Sequence, residues 1–204
     1  MTPVTRSSTR LRLDTLLHTA CQVIAEQGLG HTRTADVAAA AGVSQALVFY
    51  HFDTKEKLLA AAFDYAAERD LTRLDAVLAS TAPPAERLRR ILRLYGPAGT
   101  PAKAWAMWLD GWAESLRVPE LERAVRRLDL RWREGLAEVI AAGVATGAFD
   151  CPDPRGAAWR ITALVDGLTV QLVVHHKTVS RRQVMDWVAA AAAREVGVPP
   201  EALA

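Results

Sequence analysis

The stretch Thr32-Arg33-Thr34-Ala35-Asp36-Val37-Ala38-Ala39-Ala40-Ala41-Gly42-Val43-Ser44-Gln45-Ala46-Leu47-Val48-Phe49-Tyr50-His51-Phe52 reads as two short helices joined by a tight turn. Thr34 to Ala41 makes the first, with Ala38 and Ala41 small where a second helix has to approach closely. Gly42 takes the turn, where a Cβ resists positive φ. Val43 is apolar and can plug the angle between the helices. Ser44 caps the second, Gln45 to about His51, by accepting a hydrogen bond from a free N–H of its first turn. The early residues of that second helix face outward, as a helix entering a DNA major groove requires. A plain helical hairpin has the same outline, and the side chains separate the two readings. Gln45 can bond adenine bidentately, Ala46 and Leu47 can touch thymine methyls, and Tyr50, His51 and Lys55 can reach phosphates. A solvated helix face more often carries Glu and Lys than Leu, Phe and Tyr.

Outside this stretch the 204 residues are 50% hydrophobic and 24% charged, enough to bury a core. Lys+Arg number 25 against 23 Asp+Glu, a net charge of +2, so any nucleic-acid contact must come from local placement of charge. The apolar period is three to four nearly throughout and alternating β-branched runs are missing, which predicts an all-α fold. A first helix starts at about Arg10, turns Leu13, Leu16, Leu17, Ala20 and Ile24 inward, and ends at Gly28 and Gly30. Asp53-Thr54-Lys55-Glu56 has a capping-box spacing, with Asp53 as the cap, and opens a fourth helix running to about Ala79. Glycine and proline breaks delimit five more, at about 85–95, 102–117, 120–145, 155–177 and 181–196. The expectation is therefore a nine-helix, two-domain chain: a helix-turn-helix domain over 10–70 and a larger helical domain over 71–204.

Gly42-Val43-Ser44, Phe49-Tyr50-His51-Phe52 and Lys55-Glu56-Lys57-Leu58-Leu59, taken together at this spacing, resemble the TetR/AcrR family of bacterial transcriptional regulators over about Arg10 to Ala67. The resemblance implies a three-helix DNA-binding domain, a larger helical ligand-binding and dimerisation domain, and repression relieved by a small molecule. By position it implies that Gln45, Ala46 and Leu47, behind the capping Ser44, face bases. Tyr50, His51 and Lys55 then lie at the DNA backbone, and Thr32, Arg33 and Thr34 begin a helix that meets a phosphate. Two departures stand out. Phe49 occupies a position where the family usually has Tyr, which removes a hydroxyl and leaves packing as its role. Arg33 replaces the common Thr or Ser, as an added phosphate contact or as a solvated charge.

The second half is less explicit. Trp105, Trp108, Leu109, Trp112 and Leu116 share one helical stripe, with Lys103, Asp110 and Glu114 on the far side. The next helix lines up Leu121, Val125, Leu128, Trp132, Leu136 and Val139. Such stripes serve either as core or as a ligand cage, and tryptophans interspersed with acids permit a cationic or aromatic ligand held on ring faces. Asp166 lies in Leu164-Val165-Asp166-Gly167-Leu168, on a helix apolar on nearly every side. A carboxylate buried there needs a partner, either a neighbouring residue or a cationic ligand. Trp105, Trp108, Trp112 and Asp166-Gly167-Leu168 resemble the C-terminal half of the BetI-type branch of the family. The last two helices, apolar over wide arcs, need a second layer. The resemblance implies that they pair with their symmetry mates as a four-helix interface, with His175 and His176 at the interface or surface.

Other classes fare worse. The polar segment Met1–Arg10 is not the start of a signal peptide. No run reaches the ~18 uncharged apolar residues a bilayer span needs. The nearest, Ile161 to Val174, contains Asp166, so a cytoplasmic protein with no membrane partner is expected. Cys21 and Cys151 match no metal or redox spacing and read as free thiols. There is no nucleophile motif, Gly-rich phosphate loop or His-Glu-x-x-His, so no enzyme, cofactor or metal site is expected. A helical enzyme using Asp166 and Glu114 as an acid/base pair, and a helical scaffold that ignores DNA, remain as competitors. The leading expectation is a homodimeric repressor whose two recognition helices, about 34–36 Å apart, read a pseudo-palindromic double-stranded operator and leave it when a small-molecule inducer binds.

Overall fold

The computed structural model describes residues 4–97, 102–175 and 178–203, with side chains at 13–97, 105–175 and 178–203. All regular structure among the described residues is helical. The order is α1 (Val4–Gln27), α2 (Thr34–Ala40), α3 (Gln45–Phe52), α4 (Lys55–Leu78), α5 (Pro84–Tyr95), α6 (Ala102–Ser115), α7 (Pro119–Ala145), α8 (Pro154–Val174) and α9 (Arg181–Glu195), then a 3-10 turn at Pro200–Ala202. The expected helices are all present. Three details differ. No Gly or Pro lies between Val4 and Gln27, and α1 begins at Val4 rather than Arg10. The cap of α4 is Thr54, not Asp53: the Thr54 hydroxyl accepts from Lys57 N–H at 3.2 Å, while Asp53 closes α3 at a φ of 66°. Helix α8 ends at Val174, so the expected end at Lys177 and the expectation for His176 lie outside the described residues.

The chain forms two compact units. One comprises the chain through Arg69 together with Ala106–Leu128; the other comprises Asp70–Trp105 together with Asp129–Ala204. In the first, Leu16, Ala20, Val23 and Ile24 of α1 are buried with Val37 and Ala38 of α2, Val48 and Phe52 of α3, and Leu58, Leu59, Ala62 and Phe63 of α4. The α6 segment of this unit lies close to α4, and Phe63 meets the Trp108 ring edge-on at 4.8 Å. Gly111 makes that approach possible, because a Cβ there would stand 2.4 Å from the Phe63 ring. On the far side of α6 Asp110 and Glu114 are half-buried. Asp110 Oδ2 accepts from the N–H of fully buried Leu29 at 3.1 Å, which satisfies a donor left over where α1 ends. Leu116 falls beyond the end of α6 and is 82% exposed, so the inward stripe stops at Trp112.

In the second unit Leu74, Leu88, Ile91, Leu136, Ile140, Ile161, Val165, Val184 and Val188 belong to one buried cluster. The guanidinium of Arg87 donates to the carbonyls of Val77 and Leu78 at 3.2 and 2.7 Å, which places a cation on the last carbonyls of α4. Arg160 clasps Glu195 bidentately, at 2.9 and 2.7 Å, and ties α8 to α9. Helix α8 is, among the described residues, long and apolar enough by length and composition to cross a membrane, although Asp166 interrupts its apolar run. Its apolarity has an internal account on one side, where Ala157, Ala158, Ile161, Thr162, Val165 and Thr169 are buried. Cys21 and Cys151 are free; burial pushes the Cys21 thiol up to about 11, and its Sγ donates to the Ala62 carbonyl.

Candidate nucleic-acid interface and sensor cluster

The turn between α2 and α3 is built from backbone hydrogen bonds. Val43 N–H donates to the Ala38 carbonyl at 3.0 Å and Gly42 N–H to that of Ala39 at 3.2 Å, the paired bonds of a Schellman ending. They require a left-handed residue, and Gly42 supplies a φ of +65°. The Ser44 hydroxyl then accepts from Leu47 N–H at 3.2 Å and starts α3. This sets the register of the helix. Val48 and Phe52 turn inward, while Gln45, Ala46, Leu47, Phe49 and Tyr50 are exposed, Tyr50 by 82%. Phe49 is 43% exposed, so it is not the packing residue expected: it lies one turn after Gln45, on the outward side. His51 is half-buried, edge-on to Tyr50 at 5.3 Å.

Two expected phosphate contacts change. Thr32 is fully buried and its hydroxyl donates to the Gly28 carbonyl at 2.8 Å, so it holds the loop before α2 and has no hydroxyl proton left for DNA. Thr34 is buried as well, which leaves Arg33 as the exposed side chain of the three. Lys55 is half-buried and its ammonium donates to the Gly30 carbonyl at 3.3 Å, so one of its three donors is committed to the fold. The sequence reading passed over Lys57, an exposed ammonium 2.6 Å from Asp53. It sits one turn into α4 and was legible as part of the Lys-Glu-Lys run.

The expected ligand residues divide between the units. Trp108 and Trp112 belong to the unit that carries α3. Both are half-buried, and the Trp112 indole N–H is buried without a partner among the described residues. Trp105, Trp132 and Asp166 belong to the other unit, gathered around a residue the sequence reading missed. Tyr95, at the end of α5, meets Trp105 at 6.4 Å and Trp132 at 5.2 Å, and its hydroxyl donates to Asp166 Oδ1 at 2.7 Å. Its position just before Gly96-Pro97 was the only signal available in the sequence.

The electrostatics are unusual for a core. Burial pushes the Asp166 carboxyl up to about 6, against the hydrogen bond from Tyr95, and Asp129 raises it further while Arg133 opposes. Burial and the Asp166 charge raise the Tyr95 phenol well above its ordinary value. Arg133 stands 3.6 Å from Asp129 and lies over the Trp159 ring at 4.0 Å. Two carboxylates and one guanidinium therefore leave the region net negative whenever Asp166 ionises. Thr169, one turn along α8 from Asp166, has a buried hydroxyl with no partner among the described residues. The cluster thus sets aromatic rings beside a buried carboxylate, the two features by which proteins attract organic cations.

The chain is similar to known proteins over both of its halves. Residues 84–197 match the family described as BetI-type transcriptional repressor, C-terminal, and residues 16–62 match the bacterial regulatory proteins of the tetR family. The chain is 35% identical over 174 residues to the HTH-type transcriptional regulator CymR of Pseudomonas putida, covering 84% of this chain and 85% of that one. It is 27% identical over 161 residues to the HTH-type transcriptional regulator BetI of Pseudomonas aeruginosa PAO1, covering 78% and 79%. A crystal structure of a transcriptional regulator from Saccharomonospora viridis in complex with choline superimposes with a TM-score of 0.81 at 29% identity, covering 93% of this chain and 98% of that one.

Proposed function

We propose that this chain, which belongs to the tetR family of bacterial regulatory proteins and is a transcriptional regulator with a DNA-binding N-terminal domain, is a cytoplasmic homodimeric repressor released from its operator by a small organic cation. Residues 10–70 form the DNA-binding domain and 71–204 the sensor and dimerisation domain. Gln45, Ala46 and Leu47 read bases from the major groove. Arg33, Tyr50, His51, Lys55 and Lys57 hold the phosphates. The cation-sensing part rests on a single observation, the Asp166 carboxylate bonded to Tyr95 beside Trp105 and Trp132. A quaternary ammonium has no N–H and cannot use a hydrogen-bonding pocket, whereas ring faces and a desolvated carboxylate attract it by charge alone. The regulator from Saccharomonospora viridis, described in complex with choline, makes choline the first ligand to try.

Dimerisation is supported by the outward face of α8 and α9. Trp159 and Val174 on α8 are 53% and 54% exposed and Trp187 on α9 is 46% exposed. Ala163 and Gly167 lie between the first two along α8, with no side chain large enough to keep a partner helix away. Exposed apolar surface of this kind is the mark of an interface. The test pairs light scattering with a mobility shift on the gene's own upstream region, with and without choline. A dimer that shifts one pseudo-palindromic fragment and releases it with choline supports the reading. A monomer, or binding indifferent to choline and to related ammonium compounds, overturns the corresponding part.

A further inference from the structure

The second unit carries a hollow of opposite charge character to the Asp166 cluster. Helices α4, α5 and α9 line an open groove of about 820 Å³. It is lined by the apolar Ala76, Val77, Leu94 and Met185 and by Arg73, Arg90 and Arg93, with no acidic residue among the described lining residues. Arg73 and Arg90 each lean on a carboxylate of their own helix, Asp70 and Glu86. Arg93 is exposed and has no acidic partner among the described residues. Arg90 and Arg93 are one turn apart on α5, so their guanidinium groups share one face and repel each other. A smaller hollow shares Arg93 and Met185 with the groove and extends it toward Ala189 and Leu203, and Asp186 is the one acid among its described lining residues.

An apolar trough that also carries guanidinium groups is a poor place for water and a good one for an amphiphile. The apolar lining removes an alkyl or aryl body from solvent. The fork geometry of Arg fits a carboxylate with two parallel hydrogen bonds, and a second Arg compensates the remaining charge. We propose that this groove is a binding site for a carboxylate amphiphile, its head on Arg90 and Arg93 and its body along Ala76, Leu94 and Met185. The site is separate in residues and in charge preference from the Asp166 cluster, and it stands or falls without it.

Calorimetric titration of the protein with decanoate, decanol, decyltrimethylammonium and acetate tests this. Decanoate is expected to bind saturably, at least about tenfold tighter than decanol, with the cationic amphiphile weaker still and acetate, a head without a body, undetectable. R90A/R93A loses decanoate affinity by about tenfold or more while its decanol affinity stays unchanged. Ala76→Glu, at an exposed position the fold tolerates, sets a carboxylate in the trough and excludes decanoate. Asp166→Asn leaves decanoate binding as it was. No saturable decanoate binding, decanol binding as tightly as decanoate, or affinity retained in both R90A/R93A and Ala76→Glu would overturn the proposal. So would loss of decanoate binding in Asp166→Asn, which would place the molecule in the other site.

Discussion

Replacing Asp166 by Asn isolates the cost of holding a carboxylate in the aromatic cluster. The carboxyl is raised from 3.8 to about 6, mainly by burial. At about 1.4 kcal/mol for each tenfold change in ionisation, that gap corresponds to about 3 kcal/mol by which the ionised form disfavours the folded state. The direction follows from where each state titrates. Below pH 3.8 the group is protonated in both the folded and the unfolded chain and costs nothing. Between 3.8 and about 6 the unfolded chain ionises first, and the stability present at low pH is lost as the pH rises through this window. Asn keeps an oxygen to accept from Tyr95 and removes the charge. Relative to the parent, Asp166→Asn therefore gains about 2–3 kcal/mol between about pH 4 and pH 7.5, with little difference at the acid end. Urea unfolding at fixed protein concentration and ionic strength, repeated across that range, measures it. Parallel stability curves, or a variant that loses ground toward neutral pH, would show that no desolvated carboxylate sits beside Tyr95.

Four other substitutions report on separate parts of the fold. Gly42→Ala meets no neighbouring atom, so it costs only the left-handed conformation, about 1 kcal/mol in thermal or chemical unfolding, with weaker operator binding. Gln45→Ala relaxes sequence preference in a competition footprint and leaves stability unchanged. Lys55→Ala weakens binding to every duplex and flattens the salt slope, with a small stability loss from the freed Gly30 carbonyl. Asp110→Ala strands the buried Leu29 N–H and lowers unfolding stability by about 1–3 kcal/mol, whereas Asp110→Asn, which keeps an acceptor, recovers most of it.

The helices were legible because their signals are local. Gly42, Ser44 and the apolar spacing of α3 act within a few residues, and each does in the structure what its chemistry suggested. The positions misread were decided by partners distant in sequence. Asp110 was placed only on the far side of the tryptophan stripe, because nothing near it in the chain announces the N–H of Leu29. Thr32 looked available to DNA until the Gly28 carbonyl claimed its hydroxyl. Asp166 was singled out as needing a partner, yet Tyr95, 71 residues earlier, could not be named from periodicity. The tryptophan stripe misled for another reason. Helical phase places Trp105, Trp108 and Trp112 on one side of α6, but phase does not tell which residues along that side share neighbours. Trp108 has Phe63, and Trp105 has Tyr95.

Asp166 also fixes how proton, cation and DNA bear on one another under the proposed function. A cation needs the ionised carboxylate, and the proton needs the same oxygens, so the two compete around a pH of about 6. Below that value each unit of pH lowers the apparent cation affinity by close to tenfold, and bound cation pulls the carboxyl back toward its ordinary range. If the cation weakens operator binding by some factor, the operator weakens cation binding by the same factor, since both describe one cycle. Acid and operator therefore act in the same direction: each disfavours the cation-bound protein. A fixed cation concentration that empties the operator at pH 7.5 leaves more of it occupied at pH 5.5. Asp166→Asn, neutral at both values, removes the cation-dependent part of that difference, read against cation-free controls at each pH.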